Sequence, residues 1–284
     1  GELQKTYGIM LNHVKLADTA EAVRRVRDEV KAGKDGSADL IWINGENFRV
    51  MKGEQLLFGP FAEDLPNFAL VDVDGKPTTR VDFAESTEGL ESPWGMAQLT
   101  FFADGAKLDT PPMSMLELLA LAKDEAGRIT YPAPPDFHGT TFVKQALVET
   151  IEDRAMLPMS VDKAAFMEAT KPLFAFLDEL HPHLWRNGKQ FPPSQAQLTQ
   201  MLADGEVLMS LTFNPNEPAN LVAGGTLPAT TIAWQNRGGT IGNTHFVAIP
   251  VNAKAKAGAQ VFADFLLSPE AQAKKNDLKT WGDP

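Results

Sequence analysis

The side chains with which this sequence could do chemistry gather in short polar runs, each set at the end of an apolar one. Asn44, Glu46 and Asn47 follow Leu40-Ile41-Trp42-Ile43. Trp94 and Gln98 lie in PWGMAQ at 93–98, and Asp136, Thr140 and Thr141 lie in PAPPDFHGTTF at 132–142. Thr212 and Asn214 end an apolar run from Glu206, and Asn243 and Thr244 fall in GGTIGNTHF at 238–246. These are amides, hydroxyls, carboxylates and indoles, the equipment of a site for a small organic solute. Trp42 and Trp94 offer flat faces to a ring or a sugar, and Glu46 or Asp136 can meet a cationic or polyhydroxylated group. Each tryptophan, taken alone, is more often a core residue than a contact.

Covalent and metal chemistry are poorly provided for. The sequence has no cysteine, so it offers no thiolate nucleophile, no thiolate metal site and no disulfide framework. His13, His138, His181, His183 and His245 are scattered, and His181-Pro182-His183 cannot present its rings as an i, i+4 helical pair. GGTIG lacks the lysine of a phosphate-binding P-loop and the spacing of a dinucleotide fingerprint. Tyr7 and Tyr131 are the only tyrosines, which disfavours capture of ferric ion by adjacent phenolates. No metal and no cofactor is expected. Were the site to turn over a substrate, as a hydrolase or transferase, Glu46 and Asp136 would be its acid and base.

Composition narrows the partners. Twenty-six Lys plus Arg against 37 Asp plus Glu leave a net charge of −11 with no basic cluster, which disfavours nucleic acid and anionic membrane surfaces. With 284 residues the chain can bury one large core or two of ordinary size. No apolar run reaches the roughly 18 residues of a membrane span.

The elements that must position the polar runs alternate between strand and helix. YGIMLNHVKL at 7–16 alternates as a strand does, and Asp18 with Glu21 makes a capping box for a helix with Val23, Val26 and Val30 on one face. Leu40 to Ile43 is an unbroken apolar run, the pattern of a strand covered on both faces, so the pair of strands and their helix read as a right-handed βαβ unit. Asn44-Gly45 then suits positive φ where the next helix opens. Residues 56–83 carry Gly-Pro, Pro-Asn and Asp-Gly signals and predict a surface excursion with one hairpin and no chemistry. Residues 93–103 form the next strand, Ser114 with Glu117 caps a helix ending near Gly127, and 128–131 is a short strand. Gly139-Thr140-Thr141 is expected to cap a helix from about 142 to 152 and to leave N–H groups free for a ligand. Helices fill 162–204, with Phe166, Leu173, Phe174, Leu177 and Leu180 inside. Strands follow at 206–213, 230–235 and 245–249, then a helix at 257–267 and another begun by Ser268-Pro269.

DLIWINGENF, LLFGPFAEDLPN, ESPWGMAQ, YPAPPDFHGTTFVKQAL and GGTIGNTHFVAIP with SPEAQ span nearly the whole sequence. Together they resemble the bacterial ABC-transporter solute-binding proteins, most closely the YnjB-like branch. The resemblance implies an α/β, two-lobed periplasmic-binding-protein-like fold, each lobe a mixed sheet flanked by helices, joined by crossing strands. Lobe 1 would take 1–98 and, on the chain's return, 240–284, with lobe 2 at 99–239. It implies an exported, periplasmic receptor that closes on a solute by a hinge near Gln98 and Asn243 and delivers it to ABC permease membrane subunits. A monomer is expected. For the solute, a thiamine-like cation or a sugar-like molecule is expected ahead of an inorganic anion. Members of the family carry a further strand and helix before the first strand read here, and a longer helical region after WGDP at 281–284. The ends of this sequence are therefore expected to be incomplete relative to the family.

Overall fold

The computed structural model describes residues 2–14, 19–43, 45–134, 136–157, 161–277 and 279–280. The chain divides into two compact units, one formed by 1–96 and 243–284 and the other by 97–242. It passes between them twice, each time inside a β-strand.

The first unit holds α1 (Glu2–Tyr7), α2 (Thr19–Lys31), β1 (Ile41–Ile43) and α3 (Glu46–Gly53). Short 3-10 turns follow at Ala62–Asp64, Pro66–Leu70 and Pro77–Thr79, then a hairpin of β2 (Val81–Asp82) and β3 (Glu85–Ser86), and β4 (Glu91–Gln98) leads out. In the second unit come β5 (Thr100–Asp104), α4 (Met115–Asp124), α5 (Phe137–Thr150), α6 (Lys163–Ala169), α7 (Lys171–Leu180), α8 (Gln195–Ala203), β6 (Met209–Thr212), α9 (Glu217–Ala223) and β7 (Thr231–Trp234). Finally β8 (Gly242–Ala248) returns to the first unit, where α10 (Lys256–Leu267) and α11 (Pro269–Asn276) follow.

In the first unit β8 lies between β1 and β4, and β1 runs antiparallel to it with Ile41 opposite Ala248, Trp42 opposite Val247 and Ile43 opposite Phe246. Successive strand residues point to opposite faces, so this register sorts the sheet into two cores. Ile41, Ile43, Phe246 and Ala248 pack with Val23 and Val26 of α2 and Phe48 and Met51 of α3. Trp94, Val247 and Ile249 pack on the other side with Phe61, Phe68 and, from α10, Ala259, Ala263 and Leu267. In the second unit β5 is central, antiparallel to both β6 and β7. Phe101, Phe102 and Leu211 join Leu118, Phe142, Leu177 and Leu198 in one core.

Several helix starts follow their side-chain caps. Ser114, Asp136, Asp162, Ser194 and Ser268 each accept a hydrogen bond from a backbone N–H of the first turn.

The structure departs from the expected elements in identifiable places. No strand forms at 7–14: Glu2–Tyr7 is a helix, Tyr7 meets Phe265 edge-on, and Met10, Leu11 and Val14 stand exposed without a pairing strand. The βαβ unit therefore does not form among the described residues, and β1 pairs with β8. Residues 15–18, including the capping residue Asp18, lie outside the described residues. Residues 128–131 are irregular, and their carbonyls are used singly, Arg128 by Leu208 N–H and Ile129 by Trp185 N–H. The helix expected from 142 begins at Phe137, because Asp136 caps it. Phe166 and Phe174 are exposed, whereas Leu173, Leu177 and Leu180 are core.

The central strand of the second unit sets its stability. Phe102 is fully buried, and Phe102→Ala should destabilise the protein by about 3–5 kcal/mol through lost burial and an unfilled cavity. Urea denaturation followed by tryptophan fluorescence checks this, and a change below about 1 kcal/mol would contradict the packing described.

Candidate functional site

In the first unit, three strands bring three rings to one face of the sheet. Trp42 on β1 meets Trp94 on β4 edge-on at 5.0 Å between centroids and His245 on β8 at 5.1 Å. Trp42 keeps 45% of its surface exposed, so the run at 40–43 is not covered on both faces. Trp94 is only 6% exposed, with Lys275 Nζ 5.2 Å from its ring centroid. Burial, with Lys275 beside it, pushes the His245 imidazole down to about 4, so the ring is neutral near pH 7.

Beside Trp94 lies a pocket of about 260 Å³. It is walled by Pro93, Trp94, Gly95 and Met96, which are the last residues of the first unit before the chain leaves it, and by Thr244, the second residue after its return. Leu70, Val71, Asp72, Lys76 and Thr79 close one side, and Leu267 and Gln272 another. Gln272 Nε2 donates to the Trp94 carbonyl at 2.7 Å and fixes that wall, while Thr244 Oγ1 pairs with Thr78 Oγ1 at 3.1 Å. Asn243 is buried next to Thr244. The segment 56–83 was expected to do no chemistry, yet it supplies five of the pocket residues.

The loop after β1 is placed differently. Asn44 lies outside the described residues. Glu46 is exposed at the start of α3, 3.9 Å from Arg49, and Asn47 is half-buried behind it.

In the second unit, the start of α5 meets the end of β6. Phe137 stacks obliquely on Phe213 at 4.9 Å, and His138 lies 6.0 Å from the same ring. Burial holds the His138 imidazole below its usual range, against the pull of Asp136 and Glu217. Thr212 Oγ1 donates to Glu217 and accepts from Asn214 N–H at 3.0 Å. Asn214 Oδ1 accepts from Asn216 N–H.

The expected free amides at 139–141 are not free. Asp136 Oδ1 accepts from Gly139 N–H at 3.0 Å, Asp136 O accepts from Thr140 N–H at 2.8 Å, and Thr141 is buried with its hydroxyl donating to Phe137 O. Gly139 has a steric reason: a Cβ there would lie 1.9 Å from the Pro132 carbonyl oxygen.

The return crossing is held by a buried amide. Gln145 of α5, fully buried, accepts from Ile241 N–H at 2.8 Å and donates to Gly239 O at 3.1 Å and Glu149 Oε1 at 2.7 Å. Glu149 also accepts from Asn236 Nδ2 and Met115 N–H. Gln98 joins the same loop, its Nε2 donating to Thr240 O at 3.4 Å, while Leu99 N–H donates to Ile241 O at 2.9 Å.

Comparison with known proteins agrees with this architecture. The family model for the bacterial extracellular solute-binding protein matches residues 2–281. The chain belongs to that family. Protein YnjB of Escherichia coli K12 is 49% identical over 286 residues, covering all of this chain and 73% of that protein. A periplasmic binding protein, AfuA of Actinobacillus pleuropneumoniae, with exogenous fructose-6-phosphate bound, matches at a TM-score of 0.65 and 17% identity, over 99% of this chain and 77% of that one. The spermidine/putrescine transporter substrate-binding protein PotD of Streptococcus pneumoniae matches at 0.72 and 13%, over 98% and 76%. At these identities the structural matches establish the fold, that of the two-lobed periplasmic binding proteins. The protein is thus a solute receptor of an ABC importer, in a family of substrate-binding proteins rather than enzymes. The acid and base roles considered for Glu46 and Asp136 find no support: the first is on the surface, and the second caps a helix.

Among the thirteen residues picked from the sequence, Trp94 and Thr244 line the pocket and Trp42 abuts Trp94. Asp136, Thr140 and Thr141 sit with Thr212 and Asn214 around Phe137, His138 and Phe213. The sequence reading missed Lys76, Thr79, Gln272, Glu217 and Gln145. The first two lie in an irregular segment, and the others are helical polar residues whose burial has no local signature.

The Gln145 clamp can be tested in this solute-binding protein. Gln145→Leu keeps the volume but leaves Ile241 N–H and Gly239 C=O unpaired, a cost of about 1–3 kcal/mol. Amide exchange at Ile241 should quicken at least tenfold in the variant, and unchanged exchange would show that the side chain does not hold that loop.

Proposed function

We propose that the pocket beside Trp94 receives the solute, and that the solute is a small polar organic molecule, sugar-like or cationic, ahead of an inorganic anion. The observation that carries this is the pocket's position and lining. It adjoins both strands by which the chain leaves and re-enters the first unit, and it combines an indole, hydroxyls, an amide, a carboxylate and an ammonium. A volume of about 260 Å³ suits a solute of a few heavy atoms more than an ion, whose hydrated shell it would leave loosely held. Lys76 at the pocket, not anticipated from the sequence, disfavours a purely cationic solute. Thr79, Thr244 and Gln272 favour hydroxyl and carbonyl groups.

The named solutes of the structural relatives point in two directions, a sugar phosphate for AfuA and polyamines for PotD. The proposed class includes features of both. The receptor is proposed to work in the periplasm as a monomer and to hand its solute to the membrane permease. No helix among the described residues is long and apolar enough to cross a membrane, which agrees with delivery to a separate membrane subunit.

A thermal-shift screen against sugars, sugar phosphates, vitamins, amino acids, polyamines and oxyanions should find one strong class. A ligand at a hundredfold excess over its Kd stabilises the folded protein by about 2.7 kcal/mol. With that ligand, Met96→Trp should abolish binding by filling the pocket, and Lys76→Ala should change affinity about tenfold, roughly 1.4 kcal/mol. Titration calorimetry reads both, and wild-type affinity in both variants would place the site elsewhere.

A further inference from the structure

The hairpin of β2 and β3 and the start of β4 hold two carboxyl groups that no part of the proposed binding chemistry uses. Asp82 is 2% exposed and Glu91 is 1% exposed. Asp82 Oδ2 accepts from Gly45 N–H at 2.5 Å. Asp82 Oδ1 and both oxygens of Glu91 have no hydrogen-bond partner among the described residues.

Asp82 meets the backbone that opens α3, and Glu91 lies near enough to Asp82 for the two charges to couple. Gly45 takes φ of 57°, and the hairpin tip at Phe83 packs so closely that a Cβ on Gly45 would touch its ring at 3.4 Å. The other end of α3 is tied to the same hairpin, with Lys52 Nζ donating to Glu85 at 2.8 Å, Glu88 at 2.8 Å and Ser86 O at 2.7 Å. The helix is thus fastened at both ends to one small structure.

The charges that face the pair can be enumerated. Among the described residues Lys52 is the cation that acts on Glu91, and its ammonium is already shared by Glu85 and Glu88. Glu46 and Arg49 of α3 both point to solvent. Two ionised carboxylates in this setting would be desolvated and mutually repelled, with one backbone N–H at Asp82 and no partner at Glu91, which is costly enough to retain a proton instead.

We propose that Asp82 and Glu91 form a proton-retaining acid pair in which neutral Glu91 and Gly45-bound Asp82 act as positioning residues for the first turn of α3, so that deprotonation of the pair loosens that loop. Desolvation, then Asp82, pushes Glu91 up to about 10, and desolvation pushes Asp82 up to about 7 despite the Gly45 bond. The ordinary values are 4.5 and 3.8. Because the folded values are raised, the folded state holds protons that the unfolded chain has lost. Stability is full below the ordinary values and falls as pH rises, through about 7 for Asp82 and about 10 for Glu91. Between these two pH values Glu91 alone should contribute, and one retained proton lowers the folding equilibrium constant tenfold per pH unit.

The experiment is denaturant unfolding of the whole chain from pH 5 to pH 10, with wild type, Glu91→Gln and Asp82→Asn. The wild type should lose about tenfold in the folding equilibrium constant per unit between pH 7 and 9, and Glu91→Gln should lose that slope while remaining folded. Between pH 5 and 7, where both groups contribute, Asp82→Asn should reduce the loss from about a hundredfold to about tenfold per pH unit. In parallel, infrared difference spectra of wild type minus Glu91→Gln at pH 7 should show a protonated carboxyl stretch. Amide exchange at Gly45 and Asn47 should rise with pH beyond its intrinsic dependence in the wild type alone. An unchanged slope in Glu91→Gln, or no protonated carboxyl band, would overturn the proposal. Should Asp82→Asn fail to fold, the Glu91→Gln slope and the band still decide it.

Discussion

The arrangement rests on how the chain is held where it passes from one unit to the other. β8 begins at Gly242 and becomes the central strand of the first unit, and the glycine-rich run just before it has slack of its own. Gln145 removes that slack. Its amide treats the backbone of 239–241 as a neighbouring strand would, meeting one N–H and one carbonyl, while Leu99 N–H takes the carbonyl of Ile241. A side chain is needed because this short run has Gly238 and Gly239 and therefore little conformational preference of its own. Glu149 extends the clamp to the start of α4 and to Asn236, so one buried cluster ties two helices to the crossing. Networks of this kind stabilise only when every member is satisfied, and the hydrogen bonds of Gln145 and Glu149 meet that requirement.

The first unit shows the complementary case. Its sheet carries two cores because residues alternate strictly across a fixed register, and the same alternation puts Trp42, His245 and Val247 on one side. Trp94 is therefore a structural ring with one edge at a pocket, while Trp42 supplies exposed apolar surface. A solute beside Trp94 would lie against a wall already fixed by Gln272, which lowers the ordering cost of binding.

Much of the helical layout is legible because capping chemistry is local. Ser114, Ser194 and Ser268 announce their helices within four residues, and Val23 with Val26 marks a buried face. What fails is whatever depends on a partner far along the chain. The alternating run from Tyr7 has the period of a strand but no neighbour to pair with, and period alone cannot supply one. Trp42 sits in an apolar run but faces outward because β8 sets its register from two hundred residues away. Glu91 opens ESPWGMAQ and looks like a solvent-facing residue, yet it is buried. Trp94 and Thr244, picked from polar runs expected at strand ends, lie within β4 and β8 and reach the pocket wall from there. Lys76 and Thr79 were missed because their segment reads only as turns.

The start of α5 illustrates why a motif must be read with its cap. A helix N-terminus attracts anions when its first N–H groups are free, and HGTT at 138–141 suggested such a place. Here Asp136 already occupies that position as a covalently attached carboxylate, accepting from Gly139 and lending negative charge to the helix end. A second anion would meet that charge and that of nearby Glu217, with His138 held neutral by burial and unable to compensate. Phe137 and Phe213 instead set two packed rings beside that helix start. The carboxylates at this helix start therefore make it a poor place for a compact oxyanion.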